Sequence, residues 1–145
     1  MIAQVNGWLA RLHEVAPGSI GDQLGLEVLS YEEDTKTVLL RSRSEEWMRN
    51  AHGTLHGGMG ATIADQAMGS VACCFKRGEG IIPAIELHLN YHRPLIPGEG
   101  VLIKVRMISA TKTLTHMTAE LFRESRPDKV CISSNATYFY KEIEG

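Results

Sequence analysis

From Gly57 to about Phe75 the chain places an apolar residue at every fourth position: Met59, Ile63, Ala67, Val71 and Phe75. Ala64, Met68 and Ala72 flank that row. The spacing is that of a helix. Its apolar arc covers more than half the circumference, so a helix lying on a surface would leave too much of it in water. Such a helix has to be covered on most sides. "KRGEG" follows, basic residues and then glycine, which is helix C-terminal chemistry.

The rest of the chain supplies strands rather than further long helices. "VNGWLARLHEV" forms a short amphipathic helix, within residues 1–15, with Val5, Leu9 and Leu12 near one side. "LGLEVLSYEEDTKTVLLRSR" reads as a hairpin: Leu24, Leu26 and Val28 alternate, "EEDTK" turns, and Val38 and Leu40 alternate again. In "AIELHLNYHRP", Ile85, Leu87, Leu89 and Tyr91 share one face, while Glu86, His88, Asn90 and His92 share the other. "VLIKVRMIS", "TLTHMTAELF" and "VCISSNATYFY" are three further strands, the last two separated by the polar "RESRPDK". Because these strands follow one another without helices between them, the fold class is α+β. One curved antiparallel sheet of about six strands wraps the long helix, and a partner supplies a second layer.

A chain of 145 residues suits one domain, taken as 1–145, with 43% hydrophobic and 22% charged residues typical of globular proteins. The net charge of −2 offers no basic face for nucleic acid. No apolar run approaches the roughly 18 residues of a membrane span. "MIAQVNGWLARLH" has no basic region ahead of a long apolar run, so no secretory signal is expected. The 3 cysteines, two of them the neighbours Cys73 and Cys74, make a poor disulfide framework and contain no C-x-x-C pair for zinc. A cytoplasmic setting follows.

The chemistry gathers at the start of the long helix. The first amides of a helix lack internal acceptors and sit at its positive end. In His56-Gly57-Gly58 neither glycine carries a Cβ, so another group can approach the backbone closely. The tripeptide thus suits an oxygen gaining negative charge, such as a thioester carbonyl under attack. Taken alone it is better explained by a turn or by tight helix–sheet packing. Asp65 adds a second feature. At 100° per residue from Met59 it falls at about 240°, on the margin of the apolar face, beside Ala61, Gly69 and Ala72. These small neighbours leave room for a ligand and limit hydration, although a helix-flank aspartate can equally meet only solvent. Gly57 and Asp65 lie roughly 12 Å apart along the axis, too far to serve one carbonyl within one helix. Two such helices, antiparallel about a two-fold axis, bring each Asp65 to the other's Gly57.

"NAHGTLHGGMGATIADQAMG" and, further on, "IELHLNYHRPLIPGEG" resemble the hotdog-fold acyl-CoA thioesterases of the phenylacetate-degradation type. The resemblance runs from about Asn50 to "ATYFY" and rests on Asn50, Gly53, His56-Gly57-Gly58, Asp65, Asn90-Tyr91 and Arg93-Pro94. It implies a hotdog fold, a homodimer and often a dimer of dimers. It also implies hydrolysis of an aromatic or medium-chain acyl-CoA to free acid and CoA, without metal or other cofactor. Position by position, Asp65 matches the catalytic carboxylate, as general base or nucleophile, and Gly57 the backbone N–H that polarises the carbonyl. Asn50 matches a residue placing water or carbonyl, and His56 one that lines the site. Gly58 and Arg93 are taken as substrate-binding. Some relatives carry a serine or threonine where this chain has Ala84, so one hydroxyl that orients water is missing. An acyl-thioester dehydratase would need another motif at the helix start, and a non-catalytic acyl-CoA-binding module would not need Asp65.

Other residues read more plainly. His88 and His92, with Glu86 and Asn90, mark a solvated or subunit-contact face rather than a metal site. Arg93, Lys76, Arg77, Lys112 and Arg123 are candidate contacts for CoA phosphates. Cys73 and Cys74 are packing residues, Met59 and Met68 core, with Met68 a candidate edge of an acyl pocket.

Overall fold

The computed structural model describes residues 1–76 and 82–141. The long helix, α3, runs Gly57–Phe75, as its periodicity predicts. Before it come α1 (Ile2–Val15), the one-turn α2 (Ile20–Gln23) and the hairpin β1 (Glu27–Glu32) and β2 (Thr37–Ser42). After it come β3 (Ala84–Tyr91), β4 (Val101–Ala110), β5 (Leu114–Arg123) and β6 (Arg126–Phe139). All pairings are antiparallel, in a 6-stranded sheet ordered β1-β2-β4-β5-β6-β3. The fold is α+β, a long helix held against one antiparallel sheet.

Alternation decides what the sheet presents to the helix. Val38, Leu40, Ile103, Val105, Ala119 and Leu121 point inward and are fully buried. They meet Ile63, Ala67, Met68 and Val71 of α3, also without accessible surface. Each fully buried Leu or Ile contributes about 1.5–3 kcal/mol from burial of its side chain. The opposite face carries Lys104, Arg106, Glu120 and Asn135, with Leu39, Leu102 and Phe122 among them.

The structure corrects several expectations in detail. Leu24 is buried but belongs to the end of α2, not to the first strand. Ser19 begins α2, its hydroxyl accepting from the Asp22 N–H at 3.4 Å, and so short a helix leaves little periodicity to read. β6 starts at Arg126, inside the polar segment expected to be a loop, because Arg123 pairs with Arg126 and only Glu124 and Ser125 turn. Glu99 secures that turn: it accepts from the Ser125 N–H at 2.8 Å, from the Ser125 hydroxyl and from Arg123 at 3.1 Å. Part of the cover over α3 comes from the same chain, since α1 packs on both α3 and β1 and buries Val5 completely. Beyond Phe75, Lys76 closes the helix, while the rest of "KRGEG" lies outside the described residues.

One buried hydroxyl is unsatisfied. Thr115 Oγ1, on the inward face of β5, is 0% accessible and has no hydrogen-bond partner among the described residues. Such an orphan costs its desolvation without return. Thr115→Val, of equal shape and with high strand preference, therefore stabilises the protein by about 1 kcal/mol. Thermal denaturation reads this as a midpoint raised by roughly 3 °C; an unchanged or lowered midpoint would contradict it.

Candidate functional site at the start of the long helix

The approach to α3 is a loop held by side chains. Asn50 Oδ1 accepts from the His52 N–H at 2.9 Å and from the Thr54 N–H at 3.1 Å, and its Nδ2 donates to Thr54 Oγ1 at 2.8 Å. Gly53 sits in this loop with φ +85°, a left-handed conformation that suits glycine. The Leu55 N–H donates to the Leu95 carbonyl and the His56 N–H to the Met48 carbonyl, each at 2.9 Å. The helix start is thereby tied to two separate segments before any helical bond forms.

His56 is the N-cap. Its Nδ1 accepts from the Gly58 N–H at 2.9 Å. An accepting Nδ1 carries no proton, so the neutral ring has its hydrogen on Nε2. The His56 carbonyl accepts from the Met59 and Gly60 N–H groups. Of the first helical amides this leaves Gly57, whose N–H has no acceptor among the described residues. Tyr91 sits over it, donating its hydroxyl to the Gly57 carbonyl at 2.7 Å. A Cβ on Gly57 would touch the Tyr91 ring at 3.5 Å, and one on Gly60 would meet Ile132 Cδ1 at 2.6 Å. At Gly60, then, a side chain would have to displace Ile132, whereas at Gly57 it would make an ordinary contact.

Gly57 borders a cavity of 360 Å³. Asn50, His56, Tyr91 and Arg93 stand around it, while Leu55, Leu95 and Ile132 supply apolar wall. Arg93 is exposed and spends Nη1 on the Val130 carbonyl at 2.7 Å, which fixes the guanidinium at the rim. His92 also borders the cavity and bonds Ser133 Oγ at 2.8 Å. The sequence-predicted residues Asn50, His56, Gly57 and Arg93 are thus brought together. Gly58 sits beside them, exposed, but its amide is consumed by His56.

Asp65 is elsewhere. It lies farther along α3, half-buried, and does not border this cavity. Tyr138 of β6 lies across the helix and donates its hydroxyl to Asp65 Oδ1 at 2.8 Å and to the Asp65 carbonyl at 3.1 Å. The ring passes over Gly69, one turn on, where a Cβ would stand 3.4 Å from it, an ordinary contact. Burial, and then the neighbouring carboxylate, push the Tyr138 hydroxyl well above the usual phenol range, so it remains a donor. Sequence reasoning missed Tyr91 and Tyr138 as site residues. For Tyr138 the available signal was its place on the inward-facing side of its strand, where a tyrosine hydroxyl needs a partner.

The remaining candidates separate cleanly. Lys76 Nζ donates to the Thr111 carbonyl and lies over the Tyr140 ring, and Arg123 is paired with Glu99, so neither is poised for a phosphate. Arg77 lies outside the described residues. His88 is exposed, with Nδ1 4.0 Å from Glu86, and no group of three metal-capable side chains converges among the described residues. Met68 is fully buried core. Burial raises the Cys73 thiol and, with Cys73 as neighbour, pushes Cys74 up to about 12. Native protein at pH 8 therefore leaves Cys73 and Cys74 unmodified by iodoacetamide, with alkylation appearing only on unfolding. Peptide mass spectrometry checks this, and rapid native alkylation would refute it.

With this geometry in place, comparison with known proteins gives the family. The sequence profile of the Thioesterase superfamily matches residues 52–130, more than half of the chain, and the chain belongs to that superfamily. Human acyl-coenzyme A thioesterase 13 is 31% identical over 84 residues, covering 58% of this chain and 59% of the human protein. The match thus spans about three-fifths of that relative. Among solved structures, zebrafish thioesterase superfamily member 2 is similar with TM-score 0.78 and 24% identity, covering 97% of this chain and 99% of that one. The E. coli PaaI protein from the phenylacetic acid degradation operon gives TM-score 0.76 at 16% identity, covering 99% and 96%. Both structural likenesses establish the hotdog fold. Among the described residues no helix is long and apolar enough to cross a membrane.

Proposed function

We propose that the protein hydrolyses an acyl-CoA thioester to a free acid and CoA, using sites composed by two copies of the chain. The observation that carries this reading is the Gly57 N–H, unpartnered at the positive end of α3 on a residue that borders the 360 Å³ cavity. A thioester carbonyl oxygen placed there accepts that hydrogen bond more strongly as it gains charge, which favours the transition state over the substrate. Asp65 of the partner subunit either takes a proton from water as its oxygen adds to the carbonyl carbon, or attacks that carbon to form an anhydride that water then opens. In both routes the C–S bond breaks and CoA leaves as the thiol after protonation.

Two features support the pairing. Gly57 and Asp65 of one helix are separated by roughly 12 Å. Ala61, Asp65 and Gly69 form a half-buried stripe of α3, and β3 ends the sheet with one edge unpaired among the described residues and Ile85 61% exposed. A two-fold copy covers both and repeats the site twice; a dimer of dimers extends the same assembly. His56 and Asn50 hold the loop that aims the Gly57 amide, and Arg93 stands where a CoA phosphate enters. The acyl group is aromatic or medium-chain, and no metal or redox cofactor takes part. The unpaired Cys73, Cys74 and Cys131 suit a reducing cytoplasm.

The test is release of free thiol from a panel of aromatic and medium-chain acyl-CoAs. Turnover of at least one of them upholds the reading. Tight binding without thiol release would replace it with an acyl-CoA-binding module.

A further inference from the structure

Resting on that reading of Asp65, we infer that Tyr138 is a positioning residue. Its hydroxyl holds one carboxylate oxygen of Asp65 so that the other is the oxygen presented to water or thioester. An aspartate on a half-buried helix flank has two torsions and two equivalent oxygens, and each orientation away from the reacting carbon is lost rate. Tyr138 removes that freedom. Its ring is 1% exposed, fixed on β6 between Thr115 of β5 and Ala84 of β3. It reaches α3 over Gly69. From there the hydroxyl bonds Oδ1 at 2.8 Å and the main-chain carbonyl of the same residue at 3.1 Å. The two acceptors share the single phenol proton, the shorter contact being to the carboxylate.

The arrangement also keeps the phenol protonated. The phenol is driven by burial toward its neutral form, so it donates and does not compete as a base. Oδ1 is occupied by that donor, and among the described residues no side chain donates to Oδ2. One oxygen is anchored and one is left for chemistry.

The expected result for Tyr138→Phe is a kcat lowered tenfold or more with the affinity for a non-hydrolysable acyl-CoA thioether within threefold of wild type. A merely structural role would weaken turnover and affinity together, and that outcome overturns the proposal. A kcat within twofold of wild type overturns it as well. If Tyr138→Phe does not fold, 3-fluorotyrosine at position 138 keeps the ring and hydroxyl but makes a stronger donor. It should lower kcat about threefold at an unchanged melting temperature, because charge is drawn from the attacking carboxylate; an unchanged kcat overturns the proposal. Asp65→Asn separates the two levels. Wild-type turnover by Asp65→Asn removes the reading beneath the proposal, whereas an inactive Asp65→Asn beside a fully active Tyr138→Phe removes only the role of Tyr138.

Discussion

Asp65→Asn lowers kcat for thioester hydrolysis by about a hundred- to ten-thousandfold, the range a positioned general base or nucleophile contributes. The substitution is nearly isosteric, and the asparagine carbonyl still accepts from Tyr138, whose hydroxyl lies 2.8 Å from Oδ1 in the native protein. Asp65 is half-buried and makes no ion pair among the described residues, so its charge is not holding the fold together. The melting temperature should therefore stay within a few degrees of wild type, and binding of a thioether analogue should persist. The loss then falls on the chemical step, as expected for a group that acts only when the carbonyl is attacked. Steady-state kinetics and analogue binding on the same preparation give the comparison. Equal rates in the two proteins would take Asp65 out of the mechanism.

Gly57→Pro costs about a hundred- to a thousandfold in kcat, the usual effect of deleting one oxyanion donor. Proline is the informative replacement here because it removes the N–H, its ring Cδ standing where the hydrogen was. Position 57 opens α3, where proline is well tolerated and where no internal hydrogen bond is lost. The preceding residue, His56, already has φ −57° and ψ 134°, the extended backbone that a following proline demands. A Cβ at position 57 meets the Tyr91 ring at 3.5 Å, an ordinary contact. Gly57→Ala serves as the control for the added Cβ: it keeps the amide, and its rate should stay far closer to wild type. Equal losses from alanine and proline would mean that space, not the hydrogen bond, matters at this position.

What the sequence disclosed, and what it withheld, follows from the range of the interactions. The four-residue apolar repeat of α3 is local, and its bounds Gly57–Phe75 agree with the structure. Strand alternation likewise placed Leu87, Leu89 and Tyr91 on one side of β3. The loop bonds of Asn50 and the cap of His56 span a few residues, so the motif containing them could be read as one unit. By contrast, Tyr138 reaches Asp65 from across the fold, and Glu99 secures the β5–β6 turn from another hairpin. Such partners depend on strand order, and nothing in "NATYFY" or "RESRPDK" alone records it. The one-turn α2 escapes sequence reading for a different reason: four residues are too few to show a period. The cover that α1 gives α3 is likewise not legible in the sequence, because the apolar side of α1 says that it packs but not on what.

The central claim is that the clamp and the acid of each site come from different subunits, and subunit complementation tests it most directly. Gly57→Pro and Asp65→Asn chains are co-expressed with different tags, and the mixed dimers are purified and assayed for thiol release. A mixed dimer holds one site with both lesions and one with neither, so it should recover about half the activity of the wild-type dimer. Each parent homodimer stays nearly inactive. Mixed dimers no more active than their parents would place Gly57 and Asp65 of the same chain in each site and contradict the account.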